Sequence, residues 1–277
     1  MRAACVIGWP VEHSRSPLIH NYWLKHYGIA GDYRRELVPR EEFAAFVGSL
    51  AARGYAGANV TLPHKEAALA ASQPDERASA VGAANTLWLD NGVLRSTNTD
   101  VEGFLDNLDA CAPAWDRNLG SAVLLGSGGA ARAVVYGLLS RGVRRIIVVN
   151  RTLSRADALR QTFGPRVKAA PWEDRDAAIA DTSLLVNTTT LGMQGQPPLA
   201  VDVTRLPAHA VVADLIYAPA VTPLIAAAKT RGLHNADGLG MLLHQAVRGF
   251  ALWFGTTPTV TAELRALVKA DLGAGKP

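Results

Sequence analysis

The sequence has little cysteine and no long hydrophobic run. Its 277 residues include two cysteines, Cys5 and Cys111, far apart and without the spacing of a metal site. This excludes a disulfide framework and is typical of proteins in a reducing cytoplasm. No segment reaches the about eighteen apolar residues of a membrane helix, and the start MRAACVIGWP lacks the apolar core of a signal peptide. We therefore expect a soluble, cytoplasmic protein that has no membrane partner.

Massed charge of one sign is also absent. The net charge is +4, but the basic residues are scattered and form pairs at most, such as Arg34-Arg35 and Arg144-Arg145. Nucleic-acid binding needs a basic stripe, so no nucleic-acid partner is expected, whereas a mild positive excess suits a small anionic ligand. With 49% hydrophobic and 19% charged residues, the chain is globular and long enough for one large or two ordinary domains.

Strand-like and helix-like segments alternate, which predicts an α/β fold with mostly parallel sheets. In the amino-terminal part, strands are predicted near 3–8, 32–38, 56–61 and 84–89, and helices near 16–28, 40–53 and 64–72. An Asp-Asn-Gly turn signal within 88–96 predicts a hairpin.

From Gly120 the pattern is more regular and favours buried parallel strands. Strands are predicted at 121–126, 144–150, 183–188 and 210–216, and helices near 129–141, 153–163 and 221–231. After Gly238 come a long helix and a last helix that we expect to begin at Pro258. These two helices fit neither a nucleotide-binding pattern nor a linker, and we expect them to return to the first domain.

A glycine-rich turn provides the strongest local motif, SAVLLGSGGAARA at 121–133. A strand ends at Gly126, Gly128 and Gly129 follow, and a helix begins. Such a turn lets backbone N–H groups approach a pyrophosphate at the helix N-terminus, and Ala131 in place of the third glycine still permits close helix–strand packing. A purely structural turn is the alternative, but the strand–turn–helix context favours dinucleotide binding.

The next strand indicates which dinucleotide. It ends at Asn150, where an NAD site would carry an acidic residue for the ribose 2′-hydroxyl. Here Arg151, Thr152 and Arg155 follow, and the first acid is Asp157. A guanidinium suits a 2′-phosphate, so the loop predicts NADP(H), with two ordinary surface arginines as the alternative.

Several other polar residues have ordinary local interpretations. Ser16 and Pro17 are predicted as N-cap and first residue of a helix, although Ser14 and Ser16 would also form a carboxylate cradle there. His13 and His20 lack the partners of a metal site and are interpreted as structural or surface residues.

Lys65, Asp100 and Gln245 can also be interpreted locally. Locally, Lys65 in GANVTLPHKEAA is a solvated turn lysine, and Asp100 is a helix cap. Gln245, predicted on the inward face of the late helix, needs hydrogen-bond partners that a polar ligand would supply.

Taken in order, the motifs resemble the shikimate dehydrogenase family, which also includes quinate enzymes. They cover residues 8 to about 255, and they are HSRSPLIHN, GANVTLPHK, GAANTL, NTDVEGF, GSGGAAR, NRTLSR, NTTTLGM, DLIYAPAVTPL and NADGLGMLLHQA. The resemblance implies a substrate domain of residues 1–102 with the carboxy-terminal helices 239–277, and a Rossmann-type NADP-binding domain of residues 103–238. It also implies NADPH-dependent reduction of 3-dehydroshikimate to shikimate, on the route to chorismate and the aromatic amino acids.

The resemblance further implies roles for individual residues. Lys65 and Asp100 would form the catalytic pair. The substrate would be bound at its carboxylate by Ser14 and Ser16, and at its hydroxyls or ring substituents by Thr61, Asn85, Tyr217 and Gln245. The pyrophosphate of the cofactor would be bound by Gly126, Ser127, Gly128, Gly129 and Ala130. Its 2′-phosphate end would be bound by Asn150, Arg151, Thr152 and Arg155. Its nicotinamide half would be bound by Thr188, Leu215 and Gly238, and Glu76 would also lie near the cofactor. No metal is implied.

Departures from the family pattern are small. Ser96-Thr97 replaces a common glycine but leaves Asp100 in place, and the retained Ser16 and Arg151 favour shikimate with NADP. A quinate or aminoshikimate dehydrogenase of the same family is the alternative enzyme. A non-catalytic NADP-binding sensor would lack the lysine–aspartate pair that is present here. The sequence leaves the oligomeric state open, with a homodimer as the candidate assembly.

Overall fold

The computed structural model describes residues 2–117 and 120–274, so residues 1, 118–119 and 275–277 of the predicted domains lie outside the described residues. Within the described part, residues up to Asp100 together with Leu243–Val268 form a first unit. Val101–Leu242 and the residues from Lys269 onward form a second. Each unit is built on one six-stranded sheet, as the predicted two-domain α/β architecture requires.

The first unit contains a mixed sheet. Its strands are β1 (Arg2–Gly8), β2 (Gly31–Leu37), β3 (Tyr55–Val60), β4 (Gln73–Pro74), β5 (Thr86–Asp90) and β6 (Val93–Thr97), in the order β2-β1-β3-β5-β6-β4. β2, β1 and β3 are parallel, whereas β5 is antiparallel to both β3 and β6. The predicted hairpin is therefore confirmed as β5–β6, with Asn91 and Gly92 in the positive-φ conformation of its turn.

The helices of this unit are α1 (Ser16–His26), α2 (Phe43–Gly48), α3 (Lys65–Ala70) and α4 (Glu76–Val81). The single helix predicted over 40–53 is wrong. A 3₁₀ turn at Arg40–Glu42 precedes α2, which ends at Gly48. There the Ser49 hydroxyl donates to the carbonyls of Ala45 and Phe46, and side-chain bonds of this kind compete with helix continuation.

The second unit contains a wholly parallel sheet. Its strands are β7 (Ser121–Leu125), β8 (Arg145–Asn150), β9 (Val167–Pro171), β10 (Leu184–Asn187), β11 (Val211–Asp214) and β12 (His234–Ala236). The order β12-β11-β10-β7-β8-β9 is that of a Rossmann sheet, with the topological switch point between β7 and β10. The short edge strands β9 and β12 were not predicted, because neither has an apolar run.

The helices of the second unit are α5 (Asp100–Cys111), α6 (Gly129–Ser140), α7 (Leu153–Phe163), α8 (Arg175–Ala178) and α9 (Pro223–Thr230). The predicted helices near 129–141, 153–163 and 221–231 are confirmed as α6, α7 and α9. Buried side chains of β7, β8, β10 and β11, such as Val123, Val149 and Leu185, form its core.

The chain returns to the first unit along α10 (Gly238–Phe254), from Leu243 onward. The Trp253 indole donates to the Leu87 carbonyl at 2.8 Å, which attaches α10 to β5. The predicted start of the last helix at Pro258 is wrong, because α11 (Ala262–Ala274) begins after Thr261, whose hydroxyl accepts the Leu264 N–H at 3.2 Å.

The described residues contain neither a candidate membrane span nor a candidate metal cluster. No helix among them is long and apolar enough to cross a membrane. They also contain no group of three or more His, Cys, Asp or Glu residues that could hold a metal ion.

Candidate active site

The first sheet gathers polar residues at one of its edges. β1 and β3 are parallel, so the segments that follow them, including Lys65 after β3, leave the sheet at the same edge. β5 is antiparallel to β3, and β6 to β5, which brings Asn85 before β5 and Asp100 after β6 to this edge as well. The alternation of strand directions therefore assembles residues that are distant in the sequence.

Three of these side chains are in direct contact. Lys65 Nζ lies 2.5 Å from Asp100 Oδ2, and Asn85 Nδ2 donates to Asp100 Oδ1 at 2.9 Å. The Lys65 and Asp100 side chains are 27% and 16% exposed, so the pair is accessible to a ligand yet partly shielded from water. An ammonium group with a neighbouring carboxylate can donate a proton and stabilise a developing oxyanion.

The orientation of Asn85 follows from its backbone partner. Its Oδ1 accepts the Thr99 N–H at 2.7 Å and the Thr86 hydroxyl at 3.1 Å. Because a backbone N–H can only donate, Oδ1 must face Thr99, and the amide nitrogen must then face Asp100.

Behind this cluster lie two residues that sequence reasoning missed. Asn59 Nδ2 donates to the Asn85 carbonyl at 3.3 Å and to Thr86 Oγ1 at 3.1 Å, and Asn59 Oδ1 accepts the Tyr33 hydroxyl at 2.6 Å. Asn59 belongs to the quoted motif GANVTLPHK, and a polar residue inside an apolar strand was the available signal. Tyr33 had none, because its role depends on the pairing of β1 with both β2 and β3.

His20 packs against Tyr33 from α1. Their rings are stacked with centroids 4.1 Å apart, and His20 is fully buried with no hydrogen-bond partner for either ring nitrogen among the described residues. Burial lowers the pKa of His20 to about 3. The imidazole is therefore neutral, in line with the structural interpretation of this residue.

Thr61 lies at the end of β3, close to β1. Its N–H donates to the Ile7 carbonyl at 2.9 Å. A Cβ at Gly8 would lie 2.5 Å from Thr61 Cγ2, so the close approach of the two segments requires glycine.

Ser14 and Ser16 follow β1, and the structure corrects one prediction here. Ser16 is not the N-cap but the first residue of α1, after Arg15. The Ser14 hydroxyl accepts the Ser16 N–H at 3.3 Å, which allows the helix to begin one residue earlier. Ser14 is also held through its carbonyl, which accepts two bonds from the Arg35 guanidinium, at 3.2 and 2.8 Å.

Three further predicted residues lie in different parts of the two units. Gln245 of α10 joins the first cluster through Thr99, whose hydroxyl donates to Gln245 Oε1 at 3.4 Å. Glu76 is exposed at the start of α4 in the first unit. Tyr217 lies in the second unit, in the loop after β11.

The glycine-rich turn of the second unit has the geometry of an anion site. Gly126 has φ +101° and donates its N–H to the Val149 carbonyl at 2.8 Å. A Cβ at Gly128 or Gly129 would meet open space, and α6 has neither a side-chain cap nor an acid in its first turn. The free N–H groups of this end, with Ser127 and Ala130 alongside, therefore fit a pyrophosphate.

The loop after β8 has the charge for a second phosphate. Asn150 Nδ2 closes the turn by donating to the Thr152 carbonyl at 2.8 Å. Arg151 and Arg155 are exposed, and in the described part of the chain neither forms an ion pair. The first turn of α7 holds no acid, and Asp157 is paired with Arg160 at 2.8 Å.

The structure also brings Thr188 to the glycine-rich turn. Thr188 Oγ1 donates to the Leu125 carbonyl at 2.8 Å, and a Cβ at Gly126 would lie 2.8 Å from that hydroxyl oxygen. Gly238, the first residue of α10, packs so closely on the Leu215 carbonyl that a Cβ there would overlap it. Thr188 and Leu215 follow the neighbouring strands β10 and β11, on the far side of the switch point from β8.

A lysine that can donate a proton in one unit and a dinucleotide turn in the other are the parts of a two-domain pyridine-nucleotide oxidoreductase, and the chain is of that class. Three models of one protein family match successive parts of the chain. The shikimate dehydrogenase substrate binding domain matches residues 6–87, the shikimate / quinate 5-dehydrogenase model residues 116–194, and the shikimate 5′-dehydrogenase C-terminal domain residues 238–267.

Individual relatives of the chain support the same family. A shikimate dehydrogenase (NADP(+)) of Rhodopseudomonas palustris strain TIE-1 is 65% identical over 271 residues, which cover 98% of this chain and 97% of the relative. The solved shikimate 5-dehydrogenase of Thermus thermophilus in complex with NADP(H) and shikimate is 34% identical, with a TM-score of 0.84 and 99% coverage of both chains. The quinate dehydrogenase of Corynebacterium glutamicum in complex with NAD is 31% identical, with a TM-score of 0.89 and coverage of 97% and 98%. The chain belongs to the shikimate dehydrogenase family.

Proposed function

We propose that this protein is an NADP-dependent shikimate dehydrogenase, which reversibly reduces 3-dehydroshikimate to shikimate in the biosynthesis of chorismate and the aromatic amino acids. The observation that carries the proposal is the contact of Lys65 with Asp100 at 2.5 Å, in a chain of this family. The arginines of the loop after β8 support NADP(H) as the cofactor.

Lys65 is proposed as the group that handles the proton. When bound, NADPH would supply the hydride. Negative charge then develops on the carbonyl oxygen of the substrate, and a cation that can also give a proton lowers the barrier. Lys65 Nζ has both properties, and Asp100 orients it and would accept a hydrogen bond from the hydroxyl of the alcohol product. In the reverse direction the same pair removes the proton from the hydroxyl of shikimate.

Ser14 and Ser16 are proposed to bind the substrate carboxylate. Both lie at the start of the 11-residue helix α1, whose N-terminus favours an anion, and the guanidinium of Arg35 contacts the Ser14 carbonyl. For the hydroxyls and ring substituents we propose Thr61, Asn85, Tyr217 and Gln245.

The cofactor is assigned to the second unit. Gly126, Ser127, Gly128, Gly129 and Ala130 would hold the pyrophosphate, Asn150, Arg151, Thr152 and Arg155 the 2′-phosphate end, and Thr188, Leu215 and Gly238 the nicotinamide half. The open space at Gly128 and Gly129 supports the first of these assignments. The role of Glu76 near the cofactor stays a prediction, since Glu76 belongs to the first unit.

The domain roles follow from these assignments. We propose that the first unit is the substrate domain, predicted as residues 1–102 with 239–277, and that the second is the NADP-binding domain, predicted as 103–238. The homodimer and the cytoplasmic location also stay predictions. Light scattering of the purified protein would measure the oligomeric state directly.

Steady-state kinetics test the activity. The purified protein is assayed with shikimate, quinate and an aminoshikimate, each with NADP⁺ and with NAD⁺, by following the absorbance of the reduced cofactor. We expect the highest kcat/KM for shikimate with NADP⁺. A higher value for quinate would favour the second candidate, to which the similar quinate dehydrogenase points. Binding of NADPH without turnover of any acid would instead indicate a sensor.

A further inference from the structure

A buried carboxylate lies at the end of β11, next to the proposed cofactor site. Asp214 is 1% exposed, and three donors from two chain segments meet its oxygens. Asn187 Nδ2 at 2.9 Å and the Ile216 N–H at 3.2 Å donate to Oδ1, and the Thr222 hydroxyl at 2.6 Å donates to Oδ2. Burial raises the pKa of Asp214, and these three donors oppose that effect. A buried carboxylate with so many partners ties together the segments that supply them.

The first of these segments follows β10. Asn187 Oδ1 accepts the N–H and the hydroxyl of Thr189, at 3.0 and 2.7 Å, and Thr189 Oγ1 accepts the Leu191 N–H at 3.1 Å. The loop 188–191 is thus held through Asn187, which is itself held by Asp214. This loop begins with Thr188, a proposed nicotinamide-side residue.

The second segment follows β11. The Ile216 N–H fixes its start on Asp214, and Thr222 fixes its end, where the same hydroxyl accepts the Ile225 N–H at 3.2 Å and caps α9. Between these two points lies Tyr217. The loop 215–222 is therefore attached to one carboxylate at both ends.

We infer that Asp214 is a positioning residue, which holds the loops 188–191 and 215–222 in place for the nicotinamide half of the cofactor. This inference rests on the proposed function, because it requires that NADP(H) binds at the second unit. An ionised carboxylate suits the task because it only accepts hydrogen bonds. One of its three donors is the Asn187 amide, directly before the first loop, and the other two are the Ile216 N–H and the Thr222 hydroxyl of the second loop. Among the described residues, no hydrogen bond joins the loop after β8, with Arg151, to this network.

The test compares two ligands of the full-length protein. NADPH contains both halves of the cofactor, whereas adenosine 2′,5′-bisphosphate contains only the 2′-phosphate half. For Asp214→Asn and Thr222→Val we expect the Kd of NADPH to rise about tenfold, the typical effect of losing one hydrogen bond to a charged group. The Kd of adenosine 2′,5′-bisphosphate should stay within about twofold of wild type, since its site depends on a different loop.

Matched variants complete the design. Thr222→Ser keeps the hydroxyl and should restore NADPH binding. Thr204→Val removes an equivalent Thr–Asp bond, to Asp202 on the exposed surface of the same unit, and should bind both ligands like wild type. If Asp214→Asn does not fold, the Val and Ser variants of Thr222 still decide the question.

The outcomes separate the two proposals. Equal losses of both ligands, or no loss of either, in the Thr222→Val variant would overturn the positioning role while leaving the proposed function intact. A wild-type protein that binds neither ligand would overturn the proposed function and the inference together. A selective loss of NADPH affinity, rescued by Thr222→Ser, is the expected result.

Discussion

Lys65 and Asp100 are held in contact by the backbone around them as well as by their opposite charges. The Lys65 carbonyl accepts the Ala84 N–H at 2.9 Å, and the Asp100 N–H donates to Asn98 Oδ1 at 3.1 Å. Asn85 contacts the second oxygen of Asp100. The backbone is therefore anchored at both residues, and the contacts of Asp100 with Lys65 and Asn85 hold the side chains in place before a substrate binds.

Substitution of Lys65 tests its role directly. For Lys65→Ala we expect kcat to fall about a hundredfold or more, the usual contribution of a general acid or base, with little change in KM. Stopped-flow or steady-state assays with shikimate and NADP⁺ measure both constants. Lys25 is an exposed lysine in the last turn of α1. The control variant Lys25→Ala should therefore behave like wild type. An unchanged kcat for Lys65→Ala would reject the catalytic assignment.

Arg151 decides the choice of cofactor in our proposal. Arg151→Ala removes a guanidinium that suits a 2′-phosphate, so the Kd of NADPH should rise about tenfold or more while that of NADH changes little. Arg145→Ala is the matched control, since Arg145 is an exposed arginine at the start of the same strand, β8, whereas Arg151 follows its end. Equal losses for NADPH and NADH would contradict a role at the 2′-phosphate.

At the scale of elements, the attachment of α10 to the first sheet depends on a single glycine. A Cβ at Gly57 on β3 would overlap both the Trp253 indole nitrogen and the Leu87 carbonyl, the two partners of the bond that attaches α10 to β5. The indole is fully buried. A glycine inside a strand is otherwise unfavourable, so its presence here is explained by close approach of the helix.

Gly57→Ala should therefore destabilise the first unit by about 1–3 kcal/mol, the usual cost of overpacking a core. Urea unfolding followed by tryptophan fluorescence gives this free energy. Gly48→Ala, at a helical position where a Cβ would meet no other atom, should have no effect or a slightly stabilising one. Equal stability of the two variants would show that the sheet adjusts to the added methyl group.

At the scale of the whole molecule, His20 links stability to pH. Its pKa is about 3 in the folded protein and about 6.5 in an unfolded chain. Below pH 6.5 the unfolded state therefore binds a proton that the folded state does not. The free energy of unfolding must then decrease as the pH falls from 6.5 towards 3. The raised pKa of Asp214 acts in the opposite direction, so the effect of His20 has to be isolated by substitution.

We expect His20→Gln to remove this dependence. Between pH 6 and 5 the free energy of unfolding of the wild type should fall by up to about 1.4 kcal/mol more than that of the variant, the value for one proton per pH unit. Urea titrations of both proteins at several pH values measure the difference. Parallel pH profiles would mean that His20 is protonated in the folded state, contrary to its burial.

Much of the fold was predictable because local patterns determine it. Alternating apolar segments specify strands and helices, and Gly126 with its neighbours specifies a turn that few other residues could form. The acid-free loop at Arg151 likewise predicts a phosphate site from charge alone. Edge strands such as β12 and the short helix α2 were not predictable, because their limits depend on side-chain bonds and on neighbouring strands.

By itself the sequence determined the α/β class, the glycine-rich turn, the arginines of the loop after β8 and the motifs that identify the family. Only the tertiary structure decided which polar groups meet. Asn85 faces Asp100 because the Thr99 N–H orients it, Tyr33 supports Asn59 from another strand, and Asp214 joins two loops. The physical reason is that turns and apolar periodicity are encoded in neighbouring residues, whereas hydrogen bonds between distant segments depend on sheet order and register.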